Sequence, residues 1–334
     1  MEFFFTTILL LAILLSLTII TATVSGILKI FGCPFKKNFL RGLWILTLPP
    51  LFFLYGWLVE RNLTQTRCVE ITSTRIPRSF DGYRIVQISD IHLRSFIGRE
   101  KRLAGIVDKI NALHPDAILF TGDLVSLRTS ELDTTEKILG RLQATDGVYS
   151  VLGNHDYSFY TQWSDEKERK KDAASLIARQ RAIGWDVLLN ESRNITRNVS
   201  DTISIIGVEN TSVRRKFRTF GNLDKAMQSA NGSFKILMSH DPSHWRAEVA
   251  GKKDIDLTLS GHTHSMQYSL FGWSIISHIY KEYNGLYRDN GQYLYVNIGL
   301  GETMFPVRIG AMPEITVITL KNGDTAPSHA SVTE

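Results

Sequence analysis

Apolar residues along this chain fall into distinct regimes. From residue 3 to residue 30 nearly every position is apolar, and the first charge after Glu2 is Lys29. That run exceeds the roughly 20 residues that a helix needs to cross a bilayer. A cleaved signal peptide would start with basic residues and carry a shorter apolar stretch. Here the chain opens Met1-Glu2 with neither Lys nor Arg, so a retained membrane helix is expected. A second apolar run covers residues 42–59. Pro49-Pro50 interrupt it, which a helix accommodates only with a kink. Trp44, Tyr55 and Trp57 lie near its ends, where aromatics favour the membrane interface. A second span is expected, giving an anchor over residues 1–62.

From residue 83 onward the pattern changes to short apolar stretches alternating with segments of helical spacing. Residues 83–89, 117–121 and 148–152 read as buried strands. Between them, residues 99–113 place Leu103, Ile106, Val107 and Ile110 on one helical face, and residues 134–142 predict another helix. Residues 164–183 predict a charged helix with Ser164 as N-cap and Gly184 just past its end. Strands recur at residues 203–208, 234–239, 257–260, 293–298 and 315–320. Strand–helix alternation of this kind predicts an α/β domain with buried sheet strands. No repeat or low-complexity linker divides residues 68–321, which are read as one domain, and the polar residues 322–334 read as a disordered tail.

Charge and cysteine content narrow the function classes. The formal net charge of +5 over 334 residues is too small, and too dispersed, to indicate nucleic-acid binding. Two cysteines, Cys33 and Cys68, cannot build a disulfide scaffold or a thiolate zinc site. Lys29, Lys36, Lys37 and Arg41 lie between the two apolar runs, and Arg61, Arg67, Arg75 and Arg78 follow the second. The counts tie, but the first group is denser, which favours a cytoplasmic connector and an external domain.

The candidate chemistry sits at five strand ends. Asp90-Ile91-His92 follows Ile85-Val86-Gln87-Ile88, and Gly122-Asp123 follows Ile118-Leu119-Phe120. Gly153-Asn154-His155-Asp156 follows Tyr149-Ser150-Val151-Leu152, His240-Asp241 follows Ile236-Leu237-Met238, and Gly261-His262-Thr263-His264 follows Leu257-Thr258-Leu259. Five of the nine histidines fall in this set. Ligands bind at the carboxyl ends of strands in open α/β sheets, and oxygen plus imidazole donors without thiolate suit Mn²⁺, Fe²⁺, Zn²⁺ or Mg²⁺. Asp-x-His and Gly-Asp alone are weak signals, Gly-Asn-His-Asp is more unusual and Gly-His-Thr-His stronger, and their joint order after apolar strands carries the inference. Glu209-Asn210 reads as a strand-ending turn, and His244-Trp245-Arg246 as packing at a helix start.

In these five segments the chain resembles the calcineurin-like metallophosphoesterase superfamily, across roughly residues 83–300. Its apolar N-terminus, Ser239-His240-Asp241-Pro242 and Leu259-Ser260-Gly261-His262-Thr263-His264 are most similar to the bacterial membrane-associated branch. Some members of that branch and of a neighbouring one hydrolyse UDP-2,3-diacylglucosamine in lipid A assembly. The resemblance implies a four-layer αββα sandwich, preceded by the transmembrane anchor, with two divalent metal ions at the rim. Asp90, His92 and His264 would bind one ion, Asn154, His240 and His262 the second, and Asp123 would bridge both. His155 would face substrate, to protonate the leaving oxygen or stabilise the transition state. Asp156 is expected either to orient His155 or to cap the following turn; Arg94 is placed to contact a phosphate but reads equally as an exposed arginine and is left off the core set.

The function implied is hydrolysis of a phosphate ester or pyrophosphate at the bacterial inner membrane, with a lipid-linked nucleotide as an attractive substrate. UDP-2,3-diacylglucosamine is expected on the cytoplasmic side, in conflict with the orientation that the basic residues favour. A phosphoprotein or other extracytoplasmic phosphatase is the competing enzyme reading. A non-catalytic metal-binding scaffold would require loss of a bridging or catalytic residue, and Asp123, Asn154 and His155 are intact.

Overall fold

Side chains alternate across each strand, so a strand covered on both faces needs apolar residues at consecutive positions. The central strands obey this. Ile85, Leu119, Ile205 and Ile236 point into one shared core. Their neighbours Val86, Ile118 and Phe120 point to a second core, and Ile206 and Leu237 to a third. The shared core lies between two sheets, and helices cover each outer face.

The computed structural model describes residues 2–324. The helices are α1 (Glu2–Ile30), α2 (Phe35–Gly42), α3 (Leu48–Leu58), α4 (Glu100–Asn111), α5 (Glu136–Leu139), α6 (Glu166–Ala182) and α7 (Leu223–Met227). The strands are β1 (Gln65–Ser73), β2 (Arg84–Ile88), β3 (Ala117–Phe120), β4 (Val148–Ser150), β5 (Trp185–Val187), β6 (Glu191–Arg197), β7 (Asp201–Gly207), β8 (Phe234–Met238), β9 (Leu257–Ser260), β10 (Gly285–Asp289), β11 (Gln292–Val296) and β12 (Glu314–Asn322). One sheet has the order β1-β12-β2-β3-β4-β5 and the other β10-β11-β9-β8-β7-β6. β2 to β5 run parallel, as do β7, β8, β9 and β11. The carboxyl ends of β2, β3 and β4 therefore meet those of β8 and β9 along one rim. Helices α4 and α6 pack outside the first sheet, and α7 with the turn around Trp245 outside the second. This is the four-layer αββα sandwich.

Several local readings need correction. Asp165, not Ser164, caps α6 by accepting the Glu168 amide at 2.8 Å. The 134–142 segment contains only the single helical turn α5, flanked by hydrogen-bonded turns. β1 has alternating, half-buried residues and pairs in parallel with β12 at the sheet edge. Its polar content hid it. The residues read as a tail begin inside β12: the Asn322 amide donates to Asp81 at 3.0 Å. Residues 325–334 of that tail lie outside the described residues.

The N-terminal helices also differ in detail. Thr6–Ile30 (25 residues) and Phe35–Asn62 (28 residues) are each long and apolar enough to cross a membrane, and almost none of either is buried against the protein. The second is a broken helix, not one run starting at Gly42. α2 leads into a 3-10 turn at Leu43–Thr47, and α3 begins at Leu48. Pro49 and Pro50 thus occupy the first turn of α3, where amides lack intrahelical acceptors and proline is tolerated. The basic residues Lys36, Lys37 and Arg41 belong to α2.

The anchor does not end clear of the globular part. A Cβ at Gly56 would lie 2.6 Å from the Arg308 carbonyl oxygen and 2.8 Å from Ile309 Cγ1, so only glycine permits this approach. Arg61 forms a two-point pair with Glu302, Nε to Oε1 at 3.0 Å and Nη2 to Oε2 at 2.6 Å, both side chains being buried. Only Leu63 and Thr64 separate the turn Glu60–Asn62 from β1. Removing one partner of a buried pair leaves a stranded charge at a cost of about 3–5 kcal/mol. Arg102, 3.7 Å from Glu302, would blunt that, so Arg61→Met is expected to cost roughly 3 kcal/mol. Thermal melts in detergent would show it, and a midpoint unchanged from the parent would sink the claim.

Candidate metal centre

Five of the seven sequence-predicted ligands leave their strands through an unusual backbone turn. Asp90, His92, Asp123, His262 and His264 have φ of 48°, 43°, 60°, 73° and 48°. This left-handed region costs a non-glycine residue of order 1–3 kcal/mol and clusters at functional sites. The neighbouring glycines allow the loops to close on one another: a side chain at Gly153 would collide with the Asp123 carboxylate, and one at Gly261 with that of Asp90. The two sheets are stitched together here. The His262 amide donates to Asp90 Oδ2 at 3.0 Å, and His240 Nδ1 donates to the Thr121 carbonyl at 2.8 Å.

The side chains form three overlapping groups. Asp90, His92 and His264 are one, His92, Asp123 and His155 the second, and Asp123, His240 and His262 the third; within each, the donor atoms lie within 4.8 Å of one another. Asp90 Oδ1 is 3.2 Å from His264 Nε2 and 3.9 Å from His92 Nε2. Asp123 Oδ2 is 3.1 Å from His240 Nε2 and 3.6 Å from His92 Nε2. His262 Nδ1 is 3.2 Å from His240 Nε2. Asp123 therefore stands between the histidines of both sheets.

Buried polar atoms nearly always have a hydrogen-bond partner. In this cluster His92 Nε2, His264 Nε2 and Asn154 Oδ1 are buried and find none among the described residues. All three can offer a lone pair. Asn154 is oriented so by Tyr160, whose hydroxyl accepts Asn154 Nδ2 at 2.8 Å and leaves Oδ1 facing inward. A set of imidazole, carboxylate and amide oxygen donors with orphaned lone pairs fits hard to borderline divalent cations.

The electrostatics agree with the geometry. Burial disfavours charge on Asp123, yet His240 and His155 outweigh it and hold the carboxyl well below the usual carboxylate range. Asp90 is likewise lowered against burial, chiefly by His264. Burial, helped by His155, keeps His92 well below the ordinary imidazole value. His240 is raised: burial acts against its charge, but Asp123 overcomes it.

His155 lies beside this cluster and is held on three sides. Its Nδ1 is 2.7 Å from the Ser126 carbonyl, which can only accept, so Nδ1 carries a proton. The ring stacks on Tyr160 with centroids 4.0 Å apart and meets His92 edge-on at 4.8 Å. Its amide donates to Asp123 Oδ1 at 2.8 Å.

Asp156 does something neither reading of it anticipated. Its Oδ2 accepts the Asp123 and Gly153 amides at 2.8 and 2.9 Å, and its Oδ1 those of Leu124 and Val125 at 2.8 and 3.2 Å. It thus bolts the Asp123 loop to the Asn154 loop, and it is Ser126 that orients His155. Burial and the Asp123 charge push its pKa up, while the Gly153 and Val125 amides oppose them. Arg94 lines a cavity of about 300 Å³ with Trp57, Arg61, Arg99 and Glu302 beside the anchor. Glu209 accepts from Tyr157 and Asn190, and His244 bonds Ser239, so both segments are structural.

A family model described as calcineurin-like phosphoesterase matches residues 83–266. The chain belongs to that family. It is a metal-dependent phosphoester hydrolase. It is 32% identical over 280 residues to the uncharacterized metallophosphoesterase YkuE of Bacillus subtilis, covering 80% of this chain and 89% of that one. It is 31% identical over 291 residues to a transmembrane protein with metallophosphoesterase domain from Danio rerio, covering 85% of this chain and 63% of that protein. It is 26% identical over 330 residues to the UDP-2,3-diacylglucosamine pyrophosphatase LpxG of Chlamydia trachomatis, covering 82% and 94% respectively.

Three residues of this phosphoesterase site have no motif to announce them. The Arg308 guanidinium is fully buried, donates to the carbonyls of Ala311, Ile298 and Gly299 at 2.8, 3.1 and 3.1 Å, and lies 3.4 Å from His264 Nδ1. The Tyr280 hydroxyl is 3.0 Å from His262 Nε2 and donates to Asp241 at 3.2 Å. Tyr160 supports both Asn154 and His155. Of these only Arg308 left a trace in the sequence, as a lone charge in Pro306-Val307-Arg308-Ile309-Gly310-Ala311.

Proposed function

We propose that Asp90, His92 and His264 hold one divalent cation, that Asn154, His240 and His262 hold a second, and that Asp123 bridges them. The orphaned lone pairs of His92, His264 and Asn154 support this reading. Two such cations, when bound, supply Lewis acidity toward phosphoryl oxygens and make water acidic enough to attack phosphorus. The protein's own residues supply the remainder. The Ser126 carbonyl holds the Nδ1–H of His155 and so fixes the ring, which in its doubly protonated form would give the Nε2 proton to the leaving oxygen. Tyr160 holds that ring flat, and Asp156 keeps the Asp123 and Asn154 loops in register.

The substrate in this reading is a phosphate ester or pyrophosphate at a membrane. Two spanning-length helices, Gly56 packed on the residue next to Ile309, and Arg308 linking that segment to His264 support a site close to the bilayer. A lipid-linked nucleotide of the kind named for LpxG, at a bacterial inner membrane, is the specific form of the proposal. The purified full-length chain in detergent should hydrolyse bis-p-nitrophenyl phosphate when supplied with Mn²⁺, and should cleave UDP-2,3-diacylglucosamine at its pyrophosphate. Folded protein that is inert with Mn²⁺, Mg²⁺, Zn²⁺, Co²⁺ and Fe²⁺ alike would refute the metal assignment. Activity on the aryl ester alone would remove the lipid nucleotide and leave the rest. A C-terminal reporter fusion, read on both sides of the membrane, fixes which pool of substrate the domain meets.

A further inference from the structure

The loop that follows the His262–His264 motif carries an apolar face that phosphoester chemistry does not use. Leu270 and Trp273 exchange both backbone hydrogen bonds, at 2.8 and 2.9 Å, which makes Phe271-Gly272 the tip of a two-residue hairpin. Both tip residues have positive φ, 51° and 79°. Such a tip favours Asn-Gly, and a bulky ring there is an outlier. Phe271 nonetheless occupies it with its side chain wholly in the open, at 106% relative exposure. Leu270, Trp273, Ile275 and Ile279 are 43–53% exposed around it.

This face is held rigidly from behind. Ser274 and Ile276 are buried, Ser274 Oγ donates to the Ser265 carbonyl at 2.6 Å, and the Tyr283 hydroxyl donates to the Gly272 carbonyl at 3.0 Å. Exposed apolar clusters of this kind on a soluble surface mark contact with a membrane or another protein.

Position decides between those two. The base of the loop bonds to Ile309: the Ser269 amide donates to its carbonyl at 2.8 Å, and its amide donates to Gln267 at 2.9 Å. Ile309 is also one of the residues on which Gly56 of α3 packs. The hairpin is therefore continuous with the emerging apolar helix. Across the site mouth, Arg214-Arg215-Lys216-Phe217-Arg218 brings Phe217 to 4.6 Å from the His262 ring and Arg214 over the Tyr280 ring at 5.5 Å. Aromatic side chains flanked by arginine and lysine match an interface bearing anionic headgroups.

We propose that residues 268–279 form a second membrane contact, seated in the interfacial layer beside the anchor, which holds the mouth of the metal centre against the lipid surface. The proposal rests on the reading of α1 to α3 as a membrane anchor. Its occupant is the lipid surface itself.

The test uses the full chain, with Cys33→Ser and Cys68→Ser, in vesicles of phosphatidylcholine and phosphatidylglycerol. Single cysteines introduced by Phe271→Cys, Ile275→Cys or Val199→Cys carry an environment-sensitive fluorophore. Val199 is as exposed as Phe271, at 101%, but lies in the β6–β7 turn at the opposite end of the strands. The dyes at positions 271 and 275 should emit at shorter wavelength and be quenched by nitroxide-bearing lipid, while that at 199 should behave as in water. Water-like, unquenched emission at both loop positions, in chains that stay with the vesicles through a carbonate wash, overturns the proposal and leaves the anchor standing. Loss of the chain into the carbonate supernatant overturns the anchor, and the proposal with it. Two loop positions are used so that a fault in one labelled variant does not decide the result.

Discussion

Asp123→Ala should leave a folded chain that retains well under two metal ions and turns over essentially no substrate. Asp123 belongs to two of the three donor groups and faces His92 from one sheet and His240 from the other. Without it, two cations in close proximity lose the anion between them and repel each other. Activity on bis-p-nitrophenyl phosphate should fall by roughly 10³-fold or more, the scale at which a cooperating set loses one member. The Ala variant also removes the acceptor of the His155 amide. Asp123→Asn keeps an oxygen for that bond and serves as the shape control. It should lose metal too, because the bridge depends on charge. Elemental analysis showing two equivalents in either variant would disprove the bridging assignment.

His155→Ala should separate catalyst from ligand. It leaves Asp90, His92, Asp123, Asn154, His240, His262 and His264 in place, so two metal ions should remain. Turnover should drop by roughly 10²–10⁴-fold, the usual contribution of a positioned acid. Esters with good leaving groups need less proton donation, so aryl phosphates should suffer less than alkyl esters. Full activity on alkyl esters would remove His155 as the acid. Loss of a metal would mean something different: His155, which shares a donor group with His92 and Asp123, would then be a ligand.

The cluster of candidate ligands was largely legible in the sequence because its parts are local. A motif such as Gly153-Asn154-His155-Asp156 sits at the end of a strand whose apolar run is visible on its own, and parallel strands bring such ends to one rim. What the sequence hid is long-range. Asp156 is three residues from Gly153, but its other acceptor bonds go to Asp123, Leu124 and Val125, some 30 residues earlier. Tyr280 and Arg308 reach their histidines from loops with no periodicity. β1 was missed for another reason: as a half-buried edge strand with alternating polar residues, it lacks the continuous apolar run of β2 or β8. The second apolar run was misjudged at its start because α2 is amphipathic and charged, so hydropathy alone could not join it to α3.

The joint between α3 and the first sheet leaves little room to swivel. Gly56 is wedged on Arg308, Arg61 is pinned to Glu302, and two residues of free chain precede β1. A domain mounted this way works at one fixed height above its helix. Molecules confined to the bilayer reach it by lateral diffusion in a plane, whereas molecules in bulk solution must find it from a volume. For the proposed lipid-linked substrate, affinity is then properly expressed as mole fraction of lipid. Diluting the membrane with inert lipid, at constant bulk concentration, should slow the enzyme as surely as withholding substrate.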